Sequence, residues 1–262
     1  MNLTINIEAL KNRYGNAKAI DICKAAGFTA MDYSLCEMAD DNSILNGENY
    51  RAAAQEIRAI ADEKQFPCVQ THAPFTFTLE QWEDPEIFEN VIFARMVRSI
   101  EISAILGAKV IVIHPLHHMT YHGHEEEIFQ LNMEYYGRLI PYAKEYGIKI
   151  GVENMFQWDP LRHYIIADTC SNSKEFVRYI DTLNSHGSPL VWMLVMWHCR
   201  ERMNQPPMSC GHWDMTDLDL CIFMIMITKM IFISCRISED LTGQKLPKLW
   251  EKSIIRETLP MK

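Results

Sequence analysis

Short apolar runs alternate with longer stretches whose apolar residues recur every three or four positions along the first 184 residues. The short runs predict β-strands and the longer stretches predict α-helices. The predicted strands are 3–7, 28–35, 67–75, 109–116 and 148–155, and the predicted helices are 17–27, 48–65, 85–108, 125–147 and 173–184. Five strand-then-helix units in succession indicate parallel strands joined by right-handed crossovers.

Two of the predicted helices carry signals at particular residues. Pro141 lies inside the fourth helix and is expected to kink or divide it, because proline cannot donate the helical hydrogen bond. Ser171 or Ser173 is expected to cap the fifth helix, since a serine oxygen can accept a hydrogen bond from the first turn.

An open doubly wound sheet and a closed barrel both produce such an alternation. No glycine-rich phosphate loop follows the first strand, as a dinucleotide-binding sheet would require. Polar residues instead end one predicted strand after another: Asp32, His72, His114, Glu153 and Asn154. Because barrel enzymes place their chemistry at the C-terminal ends of strands, we predict an α/β fold, a (β/α)8 TIM barrel whose first five units are regular.

Glu153 is the sharpest candidate, because a carboxylate at the end of a buried strand is costly unless it is paired or binds a cation. A structural salt bridge is the alternative reading. His72 and His114 could each be an ordinary loop or strand-end histidine. If the barrel brings the three together, two imidazoles and a carboxylate predict a divalent metal site that needs further ligands from strands six to eight.

Two loops are expected at the same mouth. The segment 117–127 is rich in histidine and glutamate, and we interpret it as a solvated lid that contacts ligand rather than as a metal site. The segment 79–86 contains Trp82 and four acidic residues, and it is expected to form another mouth loop.

The 262-residue chain is 48% hydrophobic and carries a formal net charge of -9. Its length suits one large domain, and its acidity argues against a nucleic-acid partner. No secretory signal is visible, the eight cysteines lack CxxC spacing, and the longest apolar run, 220–235, is shorter than the roughly 20 residues of a membrane span. We therefore expect a cytoplasmic protein with reduced thiols and no membrane segment.

Three strand ends carry the motifs THAPF, VIVIHP and GVENM, around His72, His114 and Glu153. In this order and spacing they resemble the xylose isomerase-like TIM barrels, the sugar phosphate isomerase and epimerase group that shares its barrel with endonuclease-IV-like enzymes. The resemblance covers residues 1 to about 185.

The resemblance implies a divalent-metal-dependent isomerase or epimerase of a sugar or sugar phosphate. Such an enzyme moves a proton next to a carbonyl group through an enediolate. Glu153 would be a catalytic acid/base and a metal ligand, His72 and His114 would bind the metal, and His72 and Asn154 would bind the substrate. The metal would be Mn, Co, Mg or Zn. Two alternatives stay open, namely an endonuclease-IV-like multi-zinc phosphodiesterase and a remnant with no function of its own.

The composition changes abruptly near residue 187. Residues 187–262 contain no Ala or Tyr, whereas the first 186 residues contain 18 Ala, and they hold nine of the 16 Met and four of the six Trp. They also lack the LDxGH, HxHDN and terminal glutamate motifs that the resemblance expects on strands six, seven and eight. A shift toward residues with few codons suggests translation in the wrong frame.

The genetic code tests this idea, because Met and Trp each have one codon. Joining the third base of each codon to the first two of the next forces aspartate at residues 192–193, 224–225, 226–227 and 230–231. It forces glutamate at 261–262. The shifted reading is compatible with LDVGHVAL from residue 191 and HIHDNDYKNDLH from residue 221. All three missing motifs thus occur in order.

We therefore predict two parts. Residues 1–185 form five βα units of the barrel, and residues 186–262 are an out-of-frame tail in place of units six to eight. The chain as translated is then expected to have an incomplete metal site, no isomerase activity and an irregular tail.

Overall fold

The computed structural model describes residues 3–159, 161–185, 190–192, 223–227 and 230–234. The irregularity expected for residues 186–262 therefore concerns a segment that, apart from three short strands, lies outside the described residues. Among those described, no helix combines the length and the apolar character needed to cross a bilayer.

The regular elements follow the predicted alternation closely. The strands are β1 Leu3–Asn6, β2 Ala30–Ser34, β3 Cys68–His72, β4 Val110–Ile113, β5 Lys149–Val152, β6 Phe156–Asp159, β7 Tyr164–Ala167, β8 Leu190–Trp192, β9 Phe223–Ile227 and β10 Met230–Ser234. The helices are α1 Glu8–Tyr14, α2 Asn16–Ala25, α3 Tyr50–Glu63, α4 Leu79–Glu83, α5 Pro85–Ile87, α6 Ala94–Leu106, α7 Glu125–Tyr146 and α8 Ser173–Ser185. Each predicted strand and helix has a counterpart within a few residues.

The main sheet has eight strands in the order β8-β5-β4-β3-β2-β1-β10-β9. The five predicted strands lie side by side in chain order and are parallel, as the βα alternation requires. β8 and β10 extend this parallel arrangement at its two ends, and β9 pairs antiparallel with β10. Among the described strands, β8 and β9 are not hydrogen-bonded to each other.

Amphipathic helices cover the sheet and form its core. In α3 the buried residues Tyr50, Ala54, Ile57 and Ala61 recur at intervals of three or four and so share one face. They belong to a cluster around β1, β2 and β3, and a second cluster packs α6, α7 and α8 on β4 and β5. These contacts fix the strand ends that carry the polar residues.

Two local predictions differ from the structure. Pro141 does not divide α7, which runs through it without interruption. Pro141 is exposed, so water can reach the carbonyl group of Gly137 that loses its helical partner. The cap of α8 is Asn172 rather than a serine, since its Oδ1 accepts a hydrogen bond of 2.9 Å from the N–H group of Glu175. The β6–β7 hairpin and α1 were not predicted, because neither has a distinctive pattern of apolar residues.

Candidate functional site

The predicted site residues lie at the same edge of the sheet. His72 is the last residue of β3, His114 follows β4, and Glu153 follows β5. The parallel register aligns His72 with Val112 and Ile113 with Val152, so the three side chains leave neighbouring strands at nearly the same height. Asp32 lies inside β2 beside Gln70 of β3.

His72 is held between two carboxylates. Its Nδ1 is 2.9 Å from Oδ2 of Asp32, and its Nε2 is 3.8 Å from Oε2 of Glu153. Burial lowers the pKa of His72, but the charge and hydrogen bond of Asp32 outweigh it and raise the pKa to about 9. Gln70 donates a further hydrogen bond of 3.2 Å to Asp32. Without a bound metal, this pKa favours the protonated form of His72 at neutral pH.

Glu153 and His114 are close but imperfectly paired. Nε2 of His114 is 2.9 Å from Oε2 of Glu153. The contact lacks the alignment of a hydrogen bond, and both Oε2 of Glu153 and Nδ1 of His114 are buried without a hydrogen-bond partner among the described residues. Burial raises the pKa of Glu153, yet the two histidines outweigh it and lower that pKa. Phe75 stacks on the His114 ring at 4.2 Å.

These atoms fit part of a metal site. A buried carboxylate oxygen that lacks a hydrogen-bond partner and faces two imidazole Nε2 atoms is a suitable donor set for a divalent cation. However, within the described residues no three His, Cys, Asp or Glu side chains form a complete metal-binding group. Asn154, the remaining predicted residue, is buried next to Glu153 in the chain.

A cavity of about 330 Å³ adjoins His114. Its wall is mainly apolar and includes Phe75, Phe77 and Trp82, with His117 and His118 as further polar groups. Trp82 lies parallel to the His118 ring at 6.2 Å, so the two predicted mouth loops meet at this cavity. The size falls within the range of small-molecule sites, about 300–1,000 Å³.

The sequence did not single out Asp168. This carboxylate follows β7, is fully buried, and lies 2.9 Å from Nδ1 of His117. The hydroxyl group of Tyr121 also donates a hydrogen bond to Glu175, and burial raises the pKa of this carboxyl group. The segment 117–121 is therefore anchored rather than a freely solvated lid. An aspartate directly after an apolar run could have identified Asp168 as a candidate. Its partner His117 could not be predicted, because the two residues are far apart in the sequence.

The profile of the family described as xylose isomerase-like TIM barrel matches residues 20–209. The chain belongs to this family. No curated protein shows significant sequence similarity to it. Among solved structures, this xylose isomerase-like barrel is similar to a D-tagatose 3-epimerase-like protein, with 17% identity, a TM-score of 0.52, and coverage of 74% of this chain and 64% of the other.

Two further structures share the fold. The 3-keto-D-glucoside 4-epimerase YcjR from E. coli has 14% identity, a TM-score of 0.54, and coverage of 78% of this chain and 72% of its own. The IOLI protein with a binding zinc atom has 20% identity, a TM-score of 0.50, and coverage of 70% of this chain and 59% of its own. This chain thus spans less than two-thirds of the length of two of these three structures, and at such identities the similarity shows the fold alone.

Proposed function

We propose that this xylose isomerase-like barrel comes from a divalent-metal-dependent isomerase or epimerase lineage that acts on a sugar or sugar phosphate. The observation that carries the proposal is the convergence of His72 and His114 on the buried Oε2 of Glu153, which has no hydrogen-bond partner among the described residues. Structures named as sugar epimerases and a zinc-containing IOLI protein share the fold, which supports the same reaction class.

The proposed reaction moves a proton at a carbon next to a carbonyl group. A bound divalent metal supplies Lewis-acid polarisation of the substrate oxygens. Glu153 is held ionised by the two histidines and accepts the proton from carbon. His72, whose Nδ1 is held by Asp32, would offer its Nε2 to the metal or to a substrate oxygen. Asn154 is proposed as a further substrate contact.

We also propose that residues 186–262 are read in a shifted frame, so that the chain as translated lacks the remaining ligands and has no isomerase activity. The forced aspartates at 192–193 and 224–225 and the forced glutamate at 261–262 support this proposal. In the intact reading, the terminal glutamate is the partner carboxylate that returns the proton on the other face of the substrate.

The test compares the chain as translated with a variant whose reading frame is restored after residue 184. We expect the restored protein to bind a divalent metal, measured by elemental analysis, and to isomerise or epimerise a member of a panel of aldoses, ketoses and their phosphates. The matched control is Glu153→Gln in the restored protein, which is expected to lose both the metal and the activity.

The outcomes separate the two proposals. An active, metal-loaded preparation of the chain as translated would contradict the frame shift but not the reaction class. A restored protein that binds several zinc ions, leaves every sugar unchanged and cleaves an abasic-site duplex would contradict the reaction class and favour the phosphodiesterase.

A further inference from the structure

His117 and Asp168 form a dyad outside the Glu153 cluster. Oδ2 of Asp168 is 2.9 Å from Nδ1 of His117, while Oδ1 accepts hydrogen bonds from the N–H group and hydroxyl of Thr169. Because Asp168 is fully buried, its contact with Nδ1 fixes the orientation of the His117 ring. The other ring nitrogen, Nε2, can then form a hydrogen bond with a ligand.

The His117 ring lies in the wall of the cavity. His117 lines the cavity together with His114, and its side chain is 36% exposed, so a ligand can reach the ring. Phe75 and Trp82 line the same space. Aromatic faces pack against the C–H groups of a sugar ring, whereas its hydroxyl groups need polar partners.

The segment that carries His117 is fixed on both sides. Asn132 accepts a hydrogen bond of 2.6 Å from the N–H group of Leu116 and donates one of 2.9 Å to its carbonyl oxygen. Tyr121 donates a hydrogen bond of 2.6 Å to Glu175. An imidazole placed on a segment anchored in this way is preorganised, so little conformational freedom is lost when it binds a ligand.

We infer that His117 is a specificity-determining residue whose Nε2 forms a hydrogen bond with one hydroxyl group of the sugar. The inference rests on the proposed function and deepens it. The described residues that line the cavity include no lysine or arginine that could bind a phosphate group. A hydroxyl-bearing part of the sugar therefore suits this cavity better than a phosphate group does.

Binding to the full chain provides the test, because the described residues that line the cavity all lie within 74–118. Ketohexoses and their monodeoxy derivatives are titrated against the wild type and against His117→Phe, which keeps a ring but removes Nε2. We expect one deoxy sugar to bind the wild type at least tenfold more weakly than its parent, and this difference to vanish in His117→Phe. His122→Phe, a variant of an exposed histidine in the same segment, should keep the difference.

Each outcome decides the inference. If His117→Phe discriminates as the wild type does, His117 has no such role, although the proposed sugar specificity stands. If no sugar binds the wild type, the inference fails, whereas the proposed substrate class is decided by the activity of the frame-restored protein. The side-chain ¹⁵N spectrum of wild-type His117 covers the case in which the variant does not fold. Its Nε2 signal should shift with the parent sugar and not with the matching deoxy sugar, and an unchanged signal would overturn the inference.

Discussion

Asn132 and Glu153 are both buried polar side chains near the C-terminal ends of β4 and β5, but they are partnered in opposite ways. The Asn132 amide forms hydrogen bonds with the N–H group and the carbonyl oxygen of Leu116 and with the carbonyl oxygen of Ile128. Its Nδ2 also lies 3.4 Å from the hydroxyl oxygen of Tyr179. Glu153 leaves Oε2 without a hydrogen-bond partner among the described residues.

This contrast distinguishes buried polar groups that stabilise the scaffold from those that form a functional site. A buried polar group whose donors and acceptors are all used stabilises one conformation of the chain. A buried carboxylate oxygen that faces two imidazoles and lacks a hydrogen bond carries a cost that a ligand can remove. We therefore assign the contacts of Asn132 with Leu116, after β4, to the scaffold. We assign Glu153, after β5, to the functional site.

Removing the Asn132 amide should have the largest effect on stability. Asn132→Ala leaves the N–H and carbonyl groups of Leu116 buried without partners, and each such group costs about 1–3 kcal/mol. We expect the free energy of unfolding to fall by about 4 kcal/mol in urea titrations. Asn42→Ala, at an exposed asparagine, is the control, and equal losses in the two variants would remove the contrast.

The next effect is a dependence of stability on pH. The pKa of His72 rises from an ordinary 6.5 to about 9 on folding, so its contribution is complete below pH 6.5 and is lost as the pH rises toward 9. We expect a metal-free sample to lose about 3 kcal/mol across this window. This dependence of the unfolding free energy on pH should disappear in His72→Gln and persist in His122→Gln. A dependence of the same size in His72→Gln would show that His72 is not its source.

Glu153→Gln should cost less than Asn132→Ala. The substitution keeps the shape and breaks no hydrogen bond of Oε2, but it removes the attraction to His72 and His114. We expect the metal-free protein to lose less unfolding free energy than Asn132→Ala does. A loss as large as that of Asn132→Ala would mean that Glu153 belongs to the scaffold.

The smallest effect is expected on the surface. Glu126 forms two hydrogen bonds with Arg178, at 2.6 and 2.8 Å, yet both side chains are exposed. Because solvent screens such pairs, Glu126→Gln should leave the urea midpoint within experimental error. A clear destabilisation would show that the number of hydrogen bonds, rather than burial, governs the contrast between Asn132 and Glu153.

Much of the scaffold could be predicted from local patterns. Apolar periodicity located all five strands, and the positions of His72, His114 and Glu153 at strand ends placed them at one edge of the sheet. The local predictions that differ from the structure concern residues whose role depends on their three-dimensional surroundings. Pro141 is tolerated because it faces solvent, and Asn172 rather than Ser171 caps α8 because its side chain reaches the N–H group of Glu175.

The alternation of elements, the family motifs and the chemical types at the strand ends can be derived from the sequence, because these features depend on residues close together in the chain. Which polar atoms have hydrogen-bond partners depends on how distant segments pack together. His117 and Asp168 are 51 residues apart in the sequence, and Asp32 and His72 are 40 residues apart. No local sequence pattern could therefore predict either contact. The packing of helices on the sheet brings these side chains within hydrogen-bonding distance and buries Oε2 of Glu153 beside two imidazoles.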